Sequence, residues 1–262
     1  MNEDFLPTAS IATLRERARI IARIREFFDR RGFFEVQTPV LSRDTVVDRY
    51  IDPIAVPLRV GDRDQELFYL QTSPEFAMKR LLAAGANAIY QICPAFRDDE
   101  LGRHHNIEFT MLEWYRVGDS YEQGMDLLDE FAQGLLGCPP AQRLTYSDAM
   151  RQFANVDLQA ANATDQLEKL AYALNVVDPL DHLFAEQVDT QLLEYPSVIL
   201  HDWPESQSAL ARVREDGGPG FNRFAERFEL FVDGLELANG YHELTDPEEL
   251  IDRNVENNQI RT

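Results

Sequence analysis

Residues 96–116 read FRDDELGRHHNIEFTMLEWYR. Alternation along 107–115 predicts a strand with Phe109, Met111, Glu113 and Tyr115 on one face. A carboxylate among rings on a buried sheet face costs free energy unless it has a partner. Arg97, at the end of the apolar run 88–96, is the candidate for that partner or for an anionic ligand. The two runs and the polar loop between them predict a β-hairpin.

A second stretch, 228–246, reads FELFVDGLELANGYHELTD. Asp233-Gly234 between apolar runs predicts another hairpin. With that turn Phe231 faces Glu236, and Glu229 becomes a diagonal neighbour of Glu236. Cross-strand diagonals lie about 7–8 Å apart. Two glutamates there repel each other unless a cation lies between them, and oxygen ligands completed by phosphates suit Mg²⁺. Simple alternation puts Glu236 and Glu243 on opposite faces. Bringing both to one face requires a bulge, expected at Asn239-Gly240.

Upstream, Leu14, Ala18, Ile21, Ile24 and Phe28 recur at helical spacing, predicting a helix over 13–31. Thr13 and Glu16 form a capping-box pattern, and Gly32 ends the helix. Residues 33–40 read as a strand with Pro39 in it, which suits an edge. Ser73-Pro74-Glu75 predicts the start of a helix reaching Gly85, after a strand at 66–71. A helix is expected at 121–136, a strand at 197–202, and a Gly/Pro-rich stretch at 216–220. Strands joined by hairpins rather than helical crossovers point to an α+β fold: an antiparallel sheet flanked by helices.

The totals bound the function. The 262 residues carry a net charge of -21, which argues against a surface built to neutralise nucleic-acid phosphates. No glycine-rich phosphate loop is present. There is no run of about 18 apolar residues to span a membrane and no secretion signal, so a cytoplasmic protein is expected. The five histidines form no metal-ligand pair, and Cys93 and Cys138 are expected as reduced thiols.

The segments 23–42 (RIREFFDRRGFFEVQTPVLS), 72–82 (TSPEFAMKRLL), 96–116 and 234–246 (GLELANGYHELTD) occur in an order that resembles the class II lysyl-tRNA synthetases. They are closest in wording to that family's shorter relatives, the elongation factor P–(R)-β-lysine ligases. The resemblance implies ATP-dependent activation of lysine or (R)-β-lysine as an aminoacyl-adenylate, then transfer to a lysine of elongation factor P. Alternatives are a lysyl-tRNA synthetase fragment charging tRNA, or an impaired pseudo-synthetase that only binds ligand or partner.

It also implies roles. Arg97 would be catalytic, holding the α-phosphate and the substrate carboxylate. Asp98, Asp99, His105, Asn106, Phe109, Glu236 and Leu237 would bind ATP, with Phe109 stacking on adenine. Glu229 and Glu236 would hold Mg²⁺. Ser73, Pro74, Glu75, Glu113, Tyr115, Asn239 and Glu243 would form the amino-acid pocket. A homodimer through residues 23–42 is expected and tRNA binding is not. A single catalytic domain is expected, with 118–222 as a helical insert, no anticodon-binding OB domain, and the chain ending before the family's motif 3. Asp99 departs from the family's usual Glu by one methylene.

Overall fold

The structure, a computed structural model, describes residues 6–45, 51–61, 65–216 and 220–260, except the side chains of 256–260. The expected Gly/Pro-rich stretch at 216–220 lies mostly outside these. The described residues form two compact units, one within Met1–Gly118 and Ile251–Thr262, the other within Asp119–Leu250.

The first unit opens with α1 (Ile11–Asp29). Its N-cap is Ser10, in extended backbone, whose hydroxyl accepts from the Thr13 amide at 3.1 Å. The cap thus lies three residues before the expected Thr13–Glu16 box, because a Ser just outside the first turn can already satisfy the N3 amide. Buried Phe28 stacks on Tyr90 (4.8 Å) and meets Phe33 edge-on (5.1 Å), which fixes one face of the helix. Gly32, at φ +78°, supplies the left-handed turn that ends it.

The strand expected at 33–40 is two short ones, β1 (Phe34–Glu35) and β2 (Leu41–Ser42). Pro39 between them has no amide to continue a ladder, and the two join different sheets. β2 pairs with β4 (Gln65–Leu70), which also pairs with β3 (Ala55–Arg59), both antiparallel. After α2 (Glu75–Ala83) come β5 (Ala88–Phe96) and β6 (Glu108–Arg116), the expected hairpin. β1 lies parallel to β5, and β5 antiparallel to β6 with Gln91 opposite Glu113 and Ala95 opposite Phe109.

The second unit begins with α3 (Tyr121–Leu136), closed at one end by the Ser120–Gln123 capping box and at the other by Gly137 in the left-handed region. Its buried stripe, Tyr121, Met125, Leu128 and Ala132, keeps helical spacing. There follow β7 (Gln142–Thr145), α4 (Tyr146–Phe153), α5 (Ala163–Leu174), α6 (Pro179–Leu183), a π-helical turn at Phe184–Val188 and α7 (Asp189–Leu192). Then come β8 (Ser197–Pro204), β9 (Val213–Glu215), β10 (Arg223–Val232) and β11 (Leu235–Tyr241). α8 (Pro247–Ile260) closes the described chain. The sheet order is β11-β10-β8-β7, with β9 also on β10. Only β7–β8 is parallel in this sheet. Leu144, Tyr146, Met150, Val198, Leu200, Trp203 and Phe231 belong to one buried core. The fold is α+β with mostly antiparallel pairing.

Asp233 (φ +49°) and Gly234 (φ +73°) make the turn between β10 and β11. Phe231 faces Glu236 as expected, but Leu230 faces Ala238, so Leu237 is the extra residue. The bulge therefore sits three residues after Gly234, not at Asn239-Gly240. Gly240 has a different task, since a Cβ there would lie 2.4 Å from the Phe228 ring. Gly240→Ala is expected to lower unfolding free energy by about 1–3 kcal/mol, as overpacking against a buried ring does. Urea titration with an unchanged midpoint would contradict this.

Candidate active site

In the first unit the β5–β6 hairpin aims Arg97. Its amide donates to the Ile107 carbonyl at 3.0 Å, closing the base of the loop. The guanidinium carbon lies 5.2 Å from the Phe109 ring centroid, and Nη1 is 3.6 Å from Glu100 Oε2. That separation is an ion pair but too long for a hydrogen bond. Nε is buried and has no hydrogen-bond partner. A partly buried guanidinium with a donor to spare is organised for a bidentate anion. Glu100, quoted in the motif without a role, is what the sequence reading missed; its place three residues after Arg97 was the available signal.

Glu113 does not pair with Arg97. Its Oε2 accepts from the Ser73 hydroxyl and its Oε1 from the Tyr115 phenol, both at 2.7 Å. Burial pushes this carboxyl up to about 7, against those two hydrogen bonds. Ser73 also accepts from the Glu75 amide at 3.0 Å, so the hydroxyl that starts α2 is the one that orients Glu113. The helix itself begins at Glu75, and buried Pro74 uses its carbonyl to accept from the Met78 amide. Glu75 Oε1 lies 2.6 Å from Lys79 Nζ. The fold thus gathers Ser73, Glu75, Glu113 and Tyr115 into one cluster, with Arg97 and Phe109 at the hairpin base.

The loop residues are less engaged. Asp98 bridges to Asp52, and the Asp99 amide donates to Asp98 Oδ1 at 3.0 Å. Asp99 takes a left-handed φ of +56°, a conformation that Asp tolerates better than most side chains. His105 and Asn106 are exposed, and the His105 carbonyl accepts from the Gly102 amide.

In the second unit the Leu237 bulge changes the parity of β11. Glu229 faces Asn239 and Arg227 faces Tyr241, while Phe231 faces Glu236. Paired residues share a face. Glu229, Glu236, Asn239 and Tyr241 therefore share one, and continued alternation adds Glu243, which bridges to Ala211. Leu237 itself is half exposed. Asn239 Nδ2 donates to the Tyr241 hydroxyl at 3.0 Å.

Glu229 is 4% exposed, and burial raises its pKa, opposed by the Arg227 charge and aided by repulsion from Glu236. Arg227 Nη2 donates to Glu229, Nη1 donates to the Gln207 carbonyl at 2.8 Å, and the guanidinium lies 4.3 Å from the Trp203 ring centroid. Arg227 had no role in the sequence reading, although its position two residues before Glu229 on one strand face was visible. Among the described residues no group of three or more His, Cys, Asp or Glu side chains is placed to hold a metal. Two carboxylates on one face, one of them buried, fit Mg²⁺, which takes few protein ligands and completes its shell with phosphate and water.

The family model described as tRNA synthetases class II (D, K and N) matches residues 4–261. The chain belongs to the class II tRNA synthetases. Among its relatives within this class is the elongation factor P–(R)-β-lysine ligase of Vibrio vulnificus (strain YJ016), 42% identical over all of this chain and 83% of the relative. The proteins of the same name from Vibrio cholerae and Salmonella paratyphi B are each 40% identical. They cover 96% and 97% of this chain and 80% of their own length. No described helix of this class II chain is long and apolar enough to cross a membrane.

Proposed function

We propose that the protein activates lysine or (R)-β-lysine with ATP as an aminoacyl-adenylate and passes the aminoacyl group to a lysine of elongation factor P. The observation that carries this reading is the Glu113 cluster. A half-buried carboxylate held by Ser73 and Tyr115 beside Glu75 is a receptor for an ammonium group. The likeness to ligases of that name along the whole chain supports the choice of substrate and acceptor.

In this reading the substrate carboxylate and the α-phosphate engage Arg97, whose fork suits two oxygens at once. A carboxylate oxygen attacks the α-phosphorus and pyrophosphate leaves. Arg97 stabilises charge on the reacting phosphoryl group, so catalysis is mainly positioning and electrostatics. Phe109 stacks on adenine, with Asp98, Asp99, His105 and Asn106 around the nucleotide. In the first unit Glu113 and Glu75 receive the amino groups. In the second step the acceptor amine attacks the carbonyl carbon and AMP leaves. Glu229 and Glu236 would hold Mg²⁺, which when bound neutralises phosphate charge.

Glu229→Gln is expected to raise the Mg²⁺ concentration for half-maximal activity by about tenfold or more, since a neutral amide is a poorer ligand for a hard cation. An unchanged Mg²⁺ dependence would remove Glu229 from the metal site. The net charge of -21 favours a protein acceptor over tRNA. Exposed Phe34 and Leu41, both within residues 23–42, support pairing of two copies through that segment.

The test is amino-acid-dependent ATP–pyrophosphate exchange with lysine and (R)-β-lysine, followed by transfer to elongation factor P or to tRNA. Exchange and transfer to the protein acceptor are expected. Charging of tRNA alone would reassign the acceptor, and absence of exchange in a folded chain would sink the proposal.

A further inference from the structure

Lys79 is one of only two lysines in a chain with 25 basic residues. It follows Glu75 by one turn of α2, and its Nζ lies 2.6 Å from Glu75 Oε1. The same ammonium is 5.9 Å from the centroid of the Tyr115 ring, whose hydroxyl donates to Glu113. A Glu–Lys pair at this spacing is ordinary on a solvated helix face. Here the Glu75 side chain is only 12% exposed and the Lys79 side chain 28%. The pair therefore sits in the cluster assigned above to the substrate's amino groups. A guanidinium would be a broad planar fork. A lysine ammonium is instead a compact point charge with three donors, the same chemical group that a protonated amine brings.

We propose that Lys79 is a specificity-determining residue of this pocket, a tethered competitor whose ammonium holds Glu75 until a substrate ammonium displaces it. The proposal rests on the amino-acid pocket reading above. Its consequence is selective. A ligand without a second ammonium cannot replace the Lys79–Glu75 contact, so it gains nothing for the contact it breaks. A diamino acid restores the pairing with its own charge. Displacing an internal ion pair lowers affinity for every ligand but lowers it least for one that carries a matching cation.

The sign of the mutational effect separates this role from a structural one. If Lys79 competes, Lys79→Met leaves Glu75 free, and lysine or (R)-β-lysine binds about fivefold tighter, the scale of one modest ion pair. If Lys79 only holds Glu75 in place, the same change weakens binding. Calorimetric titration of the full chain with each amino acid, without ATP, reads the difference. Lys79→Arg keeps the pair and is expected to bind like the wild type, and Lys79→Gln repeats the test should the Met variant not fold. Unchanged or weaker binding in the Met and Gln variants overturns the proposal while leaving the pocket reading intact. A wild-type chain that binds neither amino acid overturns both.

Discussion

Arg97→Ala is expected to reduce amino-acid-dependent ATP–pyrophosphate exchange by about a thousandfold or more, the cost of removing a preorganised charge from a developing anionic transition state. Arg97→Lys restores the charge but not the fork, and about a hundredfold loss is expected to remain. The folded state should lose little by either change. The guanidinium makes one ion pair at 3.6 Å, to Glu100, and buries an Nε with no partner. Removing an unsatisfied buried donor offsets part of the packing lost over the Phe109 ring. Large kinetic loss with a nearly unchanged melting temperature is the signature of a group organised for a ligand. Exchange within a few-fold of wild type in Arg97→Ala would remove Arg97 from the reaction, and a collapsed melting temperature would make it a structural residue.

Glu113→Gln is expected to weaken binding of lysine or (R)-β-lysine by about a hundredfold, the scale of a charge-assisted hydrogen bond in a buried site. The same change should make the ligand-free protein more stable at pH 8. Burial lifts the folded-state carboxyl from 4.5 to about 7. Between those values the native state binds more protons than the unfolded state, so stability falls as pH rises through this window. Below about 4.5 Glu113 contributes no such cost, and above about 7 the cost is complete, about 3 kcal/mol at 1.36 kcal/mol per pH unit. Glutamine removes the charge and retains an acceptor for one of the two hydroxyls of Ser73 and Tyr115. A net gain of about 1–3 kcal/mol at pH 8, vanishing near pH 4.5, is therefore expected from denaturant melts at the two pH values. In the wild type, ammonium binding requires the ionised form, so affinity should rise with pH up to about 7 and then level. A pH-independent affinity, or a Gln variant less stable at pH 8, would contradict the assignment.

How much of this was legible depends on the range over which each feature is decided. The hairpin at Asp233-Gly234, the pairing of Phe231 with Glu236 and the shared face of Phe109 and Glu113 follow from turn chemistry and period-two alternation. Both act within a few residues and can be read along the chain. The extent of α3, expected at 121–136, was likewise legible. The motif order carried the family.

Three features needed the third dimension. The bulge lies at Leu237 rather than at Asn239-Gly240, and Gly240 instead keeps regular pairing opposite Phe228, whose ring fills the space a Cβ would need. The partner of Glu113 is Ser73, 40 residues away, together with Tyr115 two residues on, and not Arg97; no periodicity could choose between them. Arg227 pairs with Glu229 beneath Trp203 because β8 and the turn after it bring that ring and the Gln207 carbonyl over β10. Alternation and turn residues determine which face a side chain takes. Which donor a buried carboxylate meets is decided only when distant segments pack, since a buried charge takes whichever partner the packed chain delivers to it.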